Sequence, residues 1–134
     1  MENSLRVLKE AVKKGSISAA QTLAEGFKWG YFGESDPKRA AKMYRFCTRS
    51  KDKKVVSDAF YNLGLLYYHG FLLQDEKDRE RGRKMAFTCF MKSAMQYAHP
   101  GAIRLLGDMY RYGQYVDQSD EIALNLYLMA SQKA

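Results

Sequence analysis

The chain has 134 residues, of which 28% are charged, and carries a net charge of +7 with a pI of about 9.4. Its length suits one domain whose core is large enough to fold without metals or disulfides. No apolar run approaches the ~18 residues of a membrane span and the N-terminus lacks a signal-peptide stretch, so we expect neither a membrane-spanning nor a secreted chain.

The composition predicts an all-α protein. Helix-forming residues dominate, Val is scarce, and Pro occurs only at Pro37 and Pro100. Cys47 and Cys89 lie far apart inside apolar helical patterns, without the spacing of a metal or redox pair. We therefore expect buried, unpaired thiols and an intracellular, cytoplasmic location, where thiols stay reduced.

One pattern of small, aliphatic and aromatic residues occurs three times along the chain. The copies consist of Ala19, Leu23, Ala24, Phe27 and Gly30, then Ala59, Leu63, Gly64, Tyr67 and Gly70, then Ala102, Leu106, Gly107, Tyr110 and Gly113. Offsets of 4, 5 and 8 residues put these side chains on one face of a helix. The repeated pattern predicts three equivalent helices.

A second helical pattern follows each copy. Its members are Ala40, Met43, Tyr44 and Cys47, then Ala86, Cys89, Phe90, Ser93 and Ala94, then Ala123, Leu126, Tyr127 and Ala130. Near the N-terminus, similar offsets occur at Ser4, Val7, Leu8, Ala11 and Val12. The chain is thus predicted to contain one outer helix followed by three pairs of inner and outer helices.

Gly64 and Gly107 lie inside predicted helices, where Gly costs ~1 kcal/mol relative to Ala. We expect an aromatic ring of the paired helix to lie directly against each glycine, which would offset that cost. The helix ends are also marked in the sequence. Ser16 and His99 are predicted N-caps with Pro100 in the first turn, and the closing glycines suit left-handed caps.

The pattern A-xxx-LG-xx-Y-xx-G, followed after ten residues by the second pattern, resembles the Sel-one-like repeat (SLR) family, which is related to the tetratricopeptide (TPR) repeats. Three features depart from the family: Ala24 replaces the helix glycine, the Gly-x-Gly-Val loop is only loosely kept, and the middle copy has six extra residues. The resemblance implies a right-handed α/α superhelix, or solenoid, of about three and a half repeats.

This resemblance divides a single domain, 1–134, into four parts. They are an outer helix of a partial repeat (1–15), repeat one (16–52), repeat two (56–97) and repeat three (99–134). Repeat two contains a charged insertion at 74–84 with alternating signs. Such a segment is usually a solvated helix extension or a mobile loop and only sometimes a docking site.

The resemblance implies a non-catalytic scaffold or adaptor that holds a peptide or protein on its concave inner-helix face. Twelve polar or aromatic positions outside the packing stripe are candidate contacts, because aromatic and Arg side chains dominate binding energy. They are Gln21, Glu25, Lys28, Trp29, Tyr61, Asn62, Tyr68, His69, Arg104, Asp108, Arg111 and Tyr112. The aromatic members could instead pack under neighbouring loops as part of the core.

A basic stripe provides an alternative function. Lys38, Lys42, Arg45 and Arg49 recur at steps of 4, 3 and 4 residues, along one side of a predicted outer helix. Between Lys38 and Lys54 there are eight cations and only Asp52 as an acid, which accounts for the whole net charge of +7. An acidic protein, an anionic surface or a nucleic acid could bind there, and a merely solvated face is the alternative. Nucleic acid is disfavoured because the sequence has no nucleic-acid-binding motif with interleaved aromatic residues.

The last predicted helix has apolar residues that the stripe does not use, namely Ile122, Leu124, Leu128 and Met129. Burying each is worth ~1.5–3 kcal/mol, so we expect them to be covered. A further segment of chain, a second copy or a partner protein could cover them. The sequence therefore allows a homo-oligomer or a C-terminal cap.

Catalytic signatures are missing from the sequence. It has two histidines, no His-Glu-xx-His, no Gly-x-Gly-xx-Gly and no phosphate loop, so we expect no enzyme activity, metal or cofactor. The family resemblance also suggests a small hydrolase as a distant alternative. Members with such activity carry regular cysteine pairs, which Cys47 and Cys89 do not form.

Overall fold

The computed structural model describes residues 2–73 and 75–133, of which residues 2, 3 and 76 are described by their backbone alone. This part of the chain contains seven α-helices and no strand. They are α1 (Glu2–Lys13), α2 (Ile17–Trp29), α3 (Pro37–Cys47), α4 (Lys53–Tyr68), α5 (Arg79–Tyr97), α6 (Pro100–Tyr112) and α7 (Asp120–Lys133). A 3-10 turn at Glu76–Asp78 precedes α5.

The helices pack in chain order. The most extensive contacts join α2 with α3, α4 with α5, and α6 with α7, while α1 packs on α2, α3 on α4, and α5 on α6. The predicted all-α repeat superhelix is confirmed, and its helices pack as α1 followed by three helix pairs.

The helix ends have the predicted caps. Ser16 Oγ accepts from the Ala19 N–H at 3.1 Å, and His99 Nδ1 accepts from the Ala102 N–H at 3.3 Å, with Pro100 in the first turn of α6. The three closing glycines have positive φ angles of 78°, 78° and 63° at Gly30, Gly70 and Gly113. These local signals explain where the inner helices begin and end.

Close helix contact explains the glycines inside α4 and α6. A Cβ on Gly64 would lie 2.7 Å from the Phe90 ring, and a Cβ on Gly107 would lie 2.7 Å from the Tyr127 ring. In repeat one, buried Ala24 and Tyr44 occupy the equivalent positions. The predicted packing of a ring against each helix glycine is confirmed.

The extra residues of repeat two lengthen its outer helix. Residues 79–84 form the first turns of α5, and Arg83 lies 3.4 Å from Glu80 on its surface. Leu73 packs against Gly82, where a Cβ would lie 2.8 Å from its side chain. Gln74, the first residue of the predicted insertion, lies outside the described residues.

Repeat two also contains a buried polar contact between its two helices. Ser57 Oγ donates to the Ser93 carbonyl at 2.8 Å, and Ser93 Oγ donates to the Ser57 carbonyl at 2.7 Å. Both serines are fully buried, and each satisfies the other's backbone oxygen. The predicted buried thiols, Cys47 and Cys89, are unpaired, and burial raises the pKa of each to about 11.

Candidate functional site

The twelve candidate residues lie on α2, α4 and α6 or directly after α4, and we call them the inner-helix surface. Seven are exposed: Gln21, Glu25, Trp29, His69, Arg104, Arg111 and Tyr112. Five are half-buried: Lys28, Tyr61, Asn62, Tyr68 and Asp108. Their positions follow from the repeat pattern, because the apolar stripe of each inner helix faces its outer helix and leaves these side chains on the other sides.

In repeat one, four of these residues form a connected group. Trp29 Nε1 donates to Glu25 Oε2 at 2.9 Å, and Lys28 Nζ lies 5.1 Å from the centre of the Trp29 ring. Lys28 also donates to Asn62 Oδ1 at 3.2 Å, which links α2 to α4. The Trp29 ring is 60% exposed, yet two neighbours fix its orientation.

Glu25 has a second partner on the outer helix. The Tyr44 hydroxyl donates to Glu25 Oε1 at 3.2 Å. Burial, and secondarily the charge of Glu25, raises the pKa of Tyr44 well above its usual range, so the phenol stays protonated. This contact ties the exposed Trp29 group to the core of the helix pair.

Repeat three shares part of this arrangement. The Tyr127 hydroxyl donates to Asp108 Oδ1, again across 19 residues of sequence, and Arg111 lies 5.2 Å from the centre of the Tyr112 ring. Tyr112 is 61% exposed. The two flanking repeats thus each present one exposed aromatic ring with a cation over it.

Repeat two differs at each of these positions. Leu65 takes the place of the carboxylate and Phe90 that of the tyrosine, both in the apolar core of the hairpin. The aromatic pair here is Tyr68 and exposed His69, with ring centres 5.4 Å apart. Tyr68 donates to Gln114 Oε1 at 2.8 Å, which ties α4 to the loop after α6.

A cavity of about 340 Å³ lies between α2, α3, α4 and the residue that caps α6. Gln21, Glu25 and Asn62 line it together with Tyr61, which stacks on His99 with ring centres 4.2 Å apart. His99 Nε2 donates to Asp58 Oδ1 at 3.2 Å, because its Nδ1 already accepts from the helix. Burial lowers the pKa of His99, although Asp58 opposes that shift.

The basic stripe is exposed, but one of its members does not lie on the helix. Lys38, Lys42 and Arg45 lie on α3, which ends at Cys47, so the prediction that Arg49 continues the helical row is wrong. The Thr48 hydroxyl donates to the Arg45 carbonyl, and the N–H groups of Arg49 and Ser50 bond carbonyls three residues back, which ends the α-helical pattern.

Most cations of this basic segment have no acidic partner among the side chains that the structure describes. Arg39 pairs with Asp36 at 3.3 Å, and no other ion pair of the cations between Lys38 and Lys54 is found within the described residues. Arg45 donates to the Tyr67 hydroxyl at 2.7 Å, and Arg49 lies over the Phe46 ring. The segment therefore presents nearly uncompensated positive charge.

On α7 the four unassigned apolar residues are exposed. Ile122 is 42%, Leu124 58%, Leu128 54% and Met129 49% exposed. At 100° per residue, Leu124 and Leu128 lie on one side of the helix, about 130° from Ile122 and Met129. The four residues therefore form two separate patches.

Two kinds of site are not found in the described part of the chain. None of its helices has the length and apolarity to cross a membrane, and no cluster of three or more His, Cys, Asp or Glu side chains is arranged to hold a metal ion.

Sequence reasoning missed the bond between a carboxylate and a tyrosine in repeats one and three. The signal was present: Glu25 and Tyr44, like Asp108 and Tyr127, are 19 residues apart, and repeat two replaces both members with apolar residues. It also missed the contact of Phe32 with Gly26, which lies outside the shared pattern.

Comparisons with known proteins agree with this architecture. The model of the Sel1 repeat family matches residues 57–96 and 100–134. No curated protein matches the chain.

Two solved structures share the fold. A Sel1 repeat protein from Oxalobacter formigenes has a TM-score of 0.74 and 22% identity over 97% of this chain and 49% of its own. The protein c5321, a protective antigen of uropathogenic Escherichia coli with an SLR fold, has a TM-score of 0.75 and 23% identity over 96% of this chain and 25% of its own. This chain thus spans about half of the first protein and about a quarter of the second. At such low identity, the similarity shows a common fold and nothing further.

The matched repeats comprise more than half of the chain and include both helices of repeats two and three. Sel1 repeats generally act as non-catalytic scaffolds for protein interactions. The chain belongs to the Sel1 repeat family.

Proposed function

We propose that this chain is a non-catalytic scaffold that holds a peptide or protein partner on the inner-helix surface. The observation that carries the proposal is the repeated group of an exposed ring and a cation, Trp29 with Lys28 and Tyr112 with Arg111, at the same position of two repeats. Neither ring is needed for the core, because both are more than half exposed.

The orientation of Trp29 favours binding over simple exposure. Its bond to Glu25 and the contact with Lys28 restrict its rotamers before any partner arrives, which lowers the entropy lost on binding. Large aromatic side chains and Arg are the residue types that dominate binding energy in protein interfaces. A partner spanning α2 to α6 would meet both rings.

The test is capture of a partner by the double variant Trp29→Ala/Tyr112→Ala. The wild-type chain serves as bait in lysate of its native cells, and the proteins retained are quantified by mass spectrometry. We expect the specific signal of the variant to be at least about tenfold lower than that of wild type. Removing a hot spot worth about 1.4 kcal/mol or more weakens binding by that factor. Tyr97→Ala removes a comparably exposed ring from the outer helix α5 and should leave capture unchanged.

Equal capture by wild type and by Trp29→Ala/Tyr112→Ala would refute the inner-helix surface as the binding face. Circular dichroism on both proteins shows whether the variant is folded, so that a loss of capture cannot come from unfolding. The buried, unpaired Cys47 and Cys89 fit a reducing compartment for this function.

A second candidate function uses the basic segment from Lys38 to Lys54. The observation that favours it is the nearly uncompensated charge, since Arg39 alone is ion-paired among its described cations. An acidic protein is the partner that this surface fits best, because the described segment offers no exposed aromatic residue on which bases could stack. Lys38→Glu/Lys42→Glu should abolish binding to the basic segment and leave binding to the inner-helix surface unchanged. If this charge reversal does not affect binding of the acidic partner, the second candidate function is refuted.

A further inference from the structure

We propose that a pocket formed by the extra residues of repeat two binds a carboxylate side chain of the partner protein, a glutamate or an aspartate. The inference rests on the proposed function, because Tyr68 and His69 in the pocket wall belong to the inner-helix surface, and it adds the chemistry of one partner residue. For the charged insertion at 74–84, it selects a role in docking over that of a merely solvated segment.

The pocket has a volume of about 430 Å³ and lies where three parts of the chain meet. Its walls are the end of α4 with Tyr68 and His69, the first turns of α5 with Arg79 and Arg83, and Gln114 in the loop after α6. The α5 wall comes from the insertion, which repeats one and three lack. The pocket is therefore a feature of this insertion and does not follow from the stacking of the shared repeat pattern.

The charge of the pocket favours an anion. Arg79 and Arg83 are four residues apart on α5, which puts both guanidinium groups on one side of the helix. Asp75 is the one acidic residue among the described residues that line the pocket, and its Oδ1 accepts from the Lys77 N–H at 2.9 Å. With histidine counted as neutral, two arginines and one aspartate leave one net positive charge, which a single carboxylate would balance.

Arg83 is the cation best placed to hold that carboxylate. Its side chain is 30% exposed, and its Nη1 lies 3.4 Å from Oε1 of Glu80, whose side chain is 70% exposed. Such a surface pair contributes little to stability and engages only one of the guanidinium nitrogens. The planar fork of donors can bind a carboxylate through two parallel hydrogen bonds, so a partner can share Arg83 with Glu80 or replace it.

The neighbouring tyrosine shows that Arg83 acts on oxygen atoms in this wall. Burial, and after it the charge of Asp108, raises the pKa of Tyr68, whereas the charge of Arg83 opposes that rise. The Tyr68 hydroxyl donates to Gln114 Oε1 at 2.8 Å, which fixes the ring as a wall of the pocket. A carboxylate that enters beside this ring would thus meet a cation already close enough to favour negative charge on oxygen.

A phosphate group fits this charge less well than a carboxylate does. A phosphorylated side chain carries about −1.5 to −2 charges at pH 7, which exceeds the net charge of the described lining residues. The excess negative charge would be repelled by Asp75 in the same lining. The charge balance therefore favours a carboxylate.

The position of the pocket favours a side chain of a bound protein over a free small acid. His69 in the pocket wall has the same place in the repeat pattern as the exposed rings of Trp29 and Tyr112. The pocket thus opens beside the middle one of three equivalent positions on the inner-helix surface. A partner that reaches from the ring of repeat one to the ring of repeat three would pass over it.

The test titrates the ¹⁵N-labelled full chain with an amino-acid derivative at constant ionic strength and follows the backbone amide signals by NMR. The probe is N-acetyl-glutamic acid α-amide, and N-acetyl-glutamine α-amide is its uncharged match. We expect saturable shifts among residues 68–83 with the glutamate derivative. Binding of the glutamine derivative should be weaker by at least about fivefold, the factor of a single ion pair near a surface.

Two variants and a matched control locate the binding site. Arg83→Gln should weaken binding of the glutamate derivative at least about fivefold, and exposed Arg79→Gln provides a second variant in case the first disturbs α5. Arg81→Gln removes the same charge from the same helix, but Arg81 lines a different cavity, beside Met85. This control should alter binding less than about twofold at constant ionic strength. N-acetyl-O-phosphoserine α-amide should bind no more tightly than the glutamate derivative.

The inference is overturned if the glutamate derivative gives no saturable shifts at the pocket, or if the glutamine derivative binds equally well. It is also overturned if neither Arg79→Gln nor Arg83→Gln weakens binding, or if the phosphoserine derivative binds more tightly than the glutamate derivative. The titration does not depend on partner capture. Failure of the pocket is therefore distinguished from failure of the inner-helix surface, which the capture experiment with Trp29→Ala/Tyr112→Ala decides.

Discussion

In the middle repeat, half-buried Leu65 packs against the apolar cluster that contains Phe90, whereas the flanking repeats have Glu25 and Asp108 at the same position, bonded to Tyr44 and Tyr127. The middle repeat also contains the buried contact between Ser57 and Ser93, where the flanking repeats have Ile17 with Cys47 and Pro100 with Ala130.

The same positions of the repeat pattern therefore serve two purposes, core stability in the middle repeat and contacts of surface side chains in the flanking repeats. In the middle repeat, Phe90, Ser57 and Ser93 are fully buried and contribute to stability. In the flanking repeats, a carboxylate bonds the outer helix, and in repeat one the same carboxylate, Glu25, also accepts from the exposed Trp29 ring. In repeat one, the residue that positions the exposed ring, Glu25, therefore takes the place of Leu65 in the middle repeat.

The largest expected effect is on stability, from truncating the ring that lies against the helix glycine. Phe90→Ala should lower the free energy of unfolding by about 3–5 kcal/mol, since Phe90 is fully buried. Tyr127→Ala should cost clearly less, because Tyr127 is half-buried and, among the described helices, α7 packs mainly on α6. Urea unfolding followed by circular dichroism measures both. Equal losses of unfolding free energy for the two variants would contradict the larger contribution of the middle repeat to stability.

The serine contact should have the next largest effect. Ser93→Ala removes a buried donor and leaves the Ser57 carbonyl without it, which should cost about 1–3 kcal/mol of unfolding free energy. Ser57→Ala should cost a similar amount, and the double variant should cost less than the sum, because the two hydroxyls act as one unit. Strictly additive costs in a double-mutant cycle would show that the two serines contribute independently.

Several of these features could be predicted from the sequence. The small residues and rings of the shared pattern located the helix pairs, Ser16 and His99 located helix starts, and Gly64 and Gly107 indicated close contact. The bond of Glu25 to Tyr44 was not predicted, because it depends on how far each helix is rotated about its axis, which a pattern of apolar residues determines only coarsely. The end of α3 before Arg49 was not predicted either, because it depends on local hydrogen bonds of Thr48 that the spacing of the cations does not reveal.

A smaller effect is expected from pH. The pKa of His99 is lowered in the folded state, chiefly by burial, so its contribution to stability is fully present above the unfolded value of about 6.5 and is lost as the pH falls through the lower folded value. Protonation of Nδ1 also removes the acceptor that caps α6. Wild type should therefore lose more unfolding free energy between about pH 7.5 and 5 than His99→Asn, which keeps a capping side chain but does not titrate. Parallel pH profiles would show that His99 is not responsible.

The central claim is that the flanking repeats carry exposed rings for binding that the fold itself does not need. The most direct measurement is the unfolding free energy of Trp29→Ala/Tyr112→Ala by urea titration, made on the same preparation that is used for partner capture. We expect stability within about 0.5 kcal/mol of wild type, as for exposed sites away from the core, together with loss of capture. A variant that loses 2 kcal/mol or more, or that captures the partner as well as wild type does, would contradict the account.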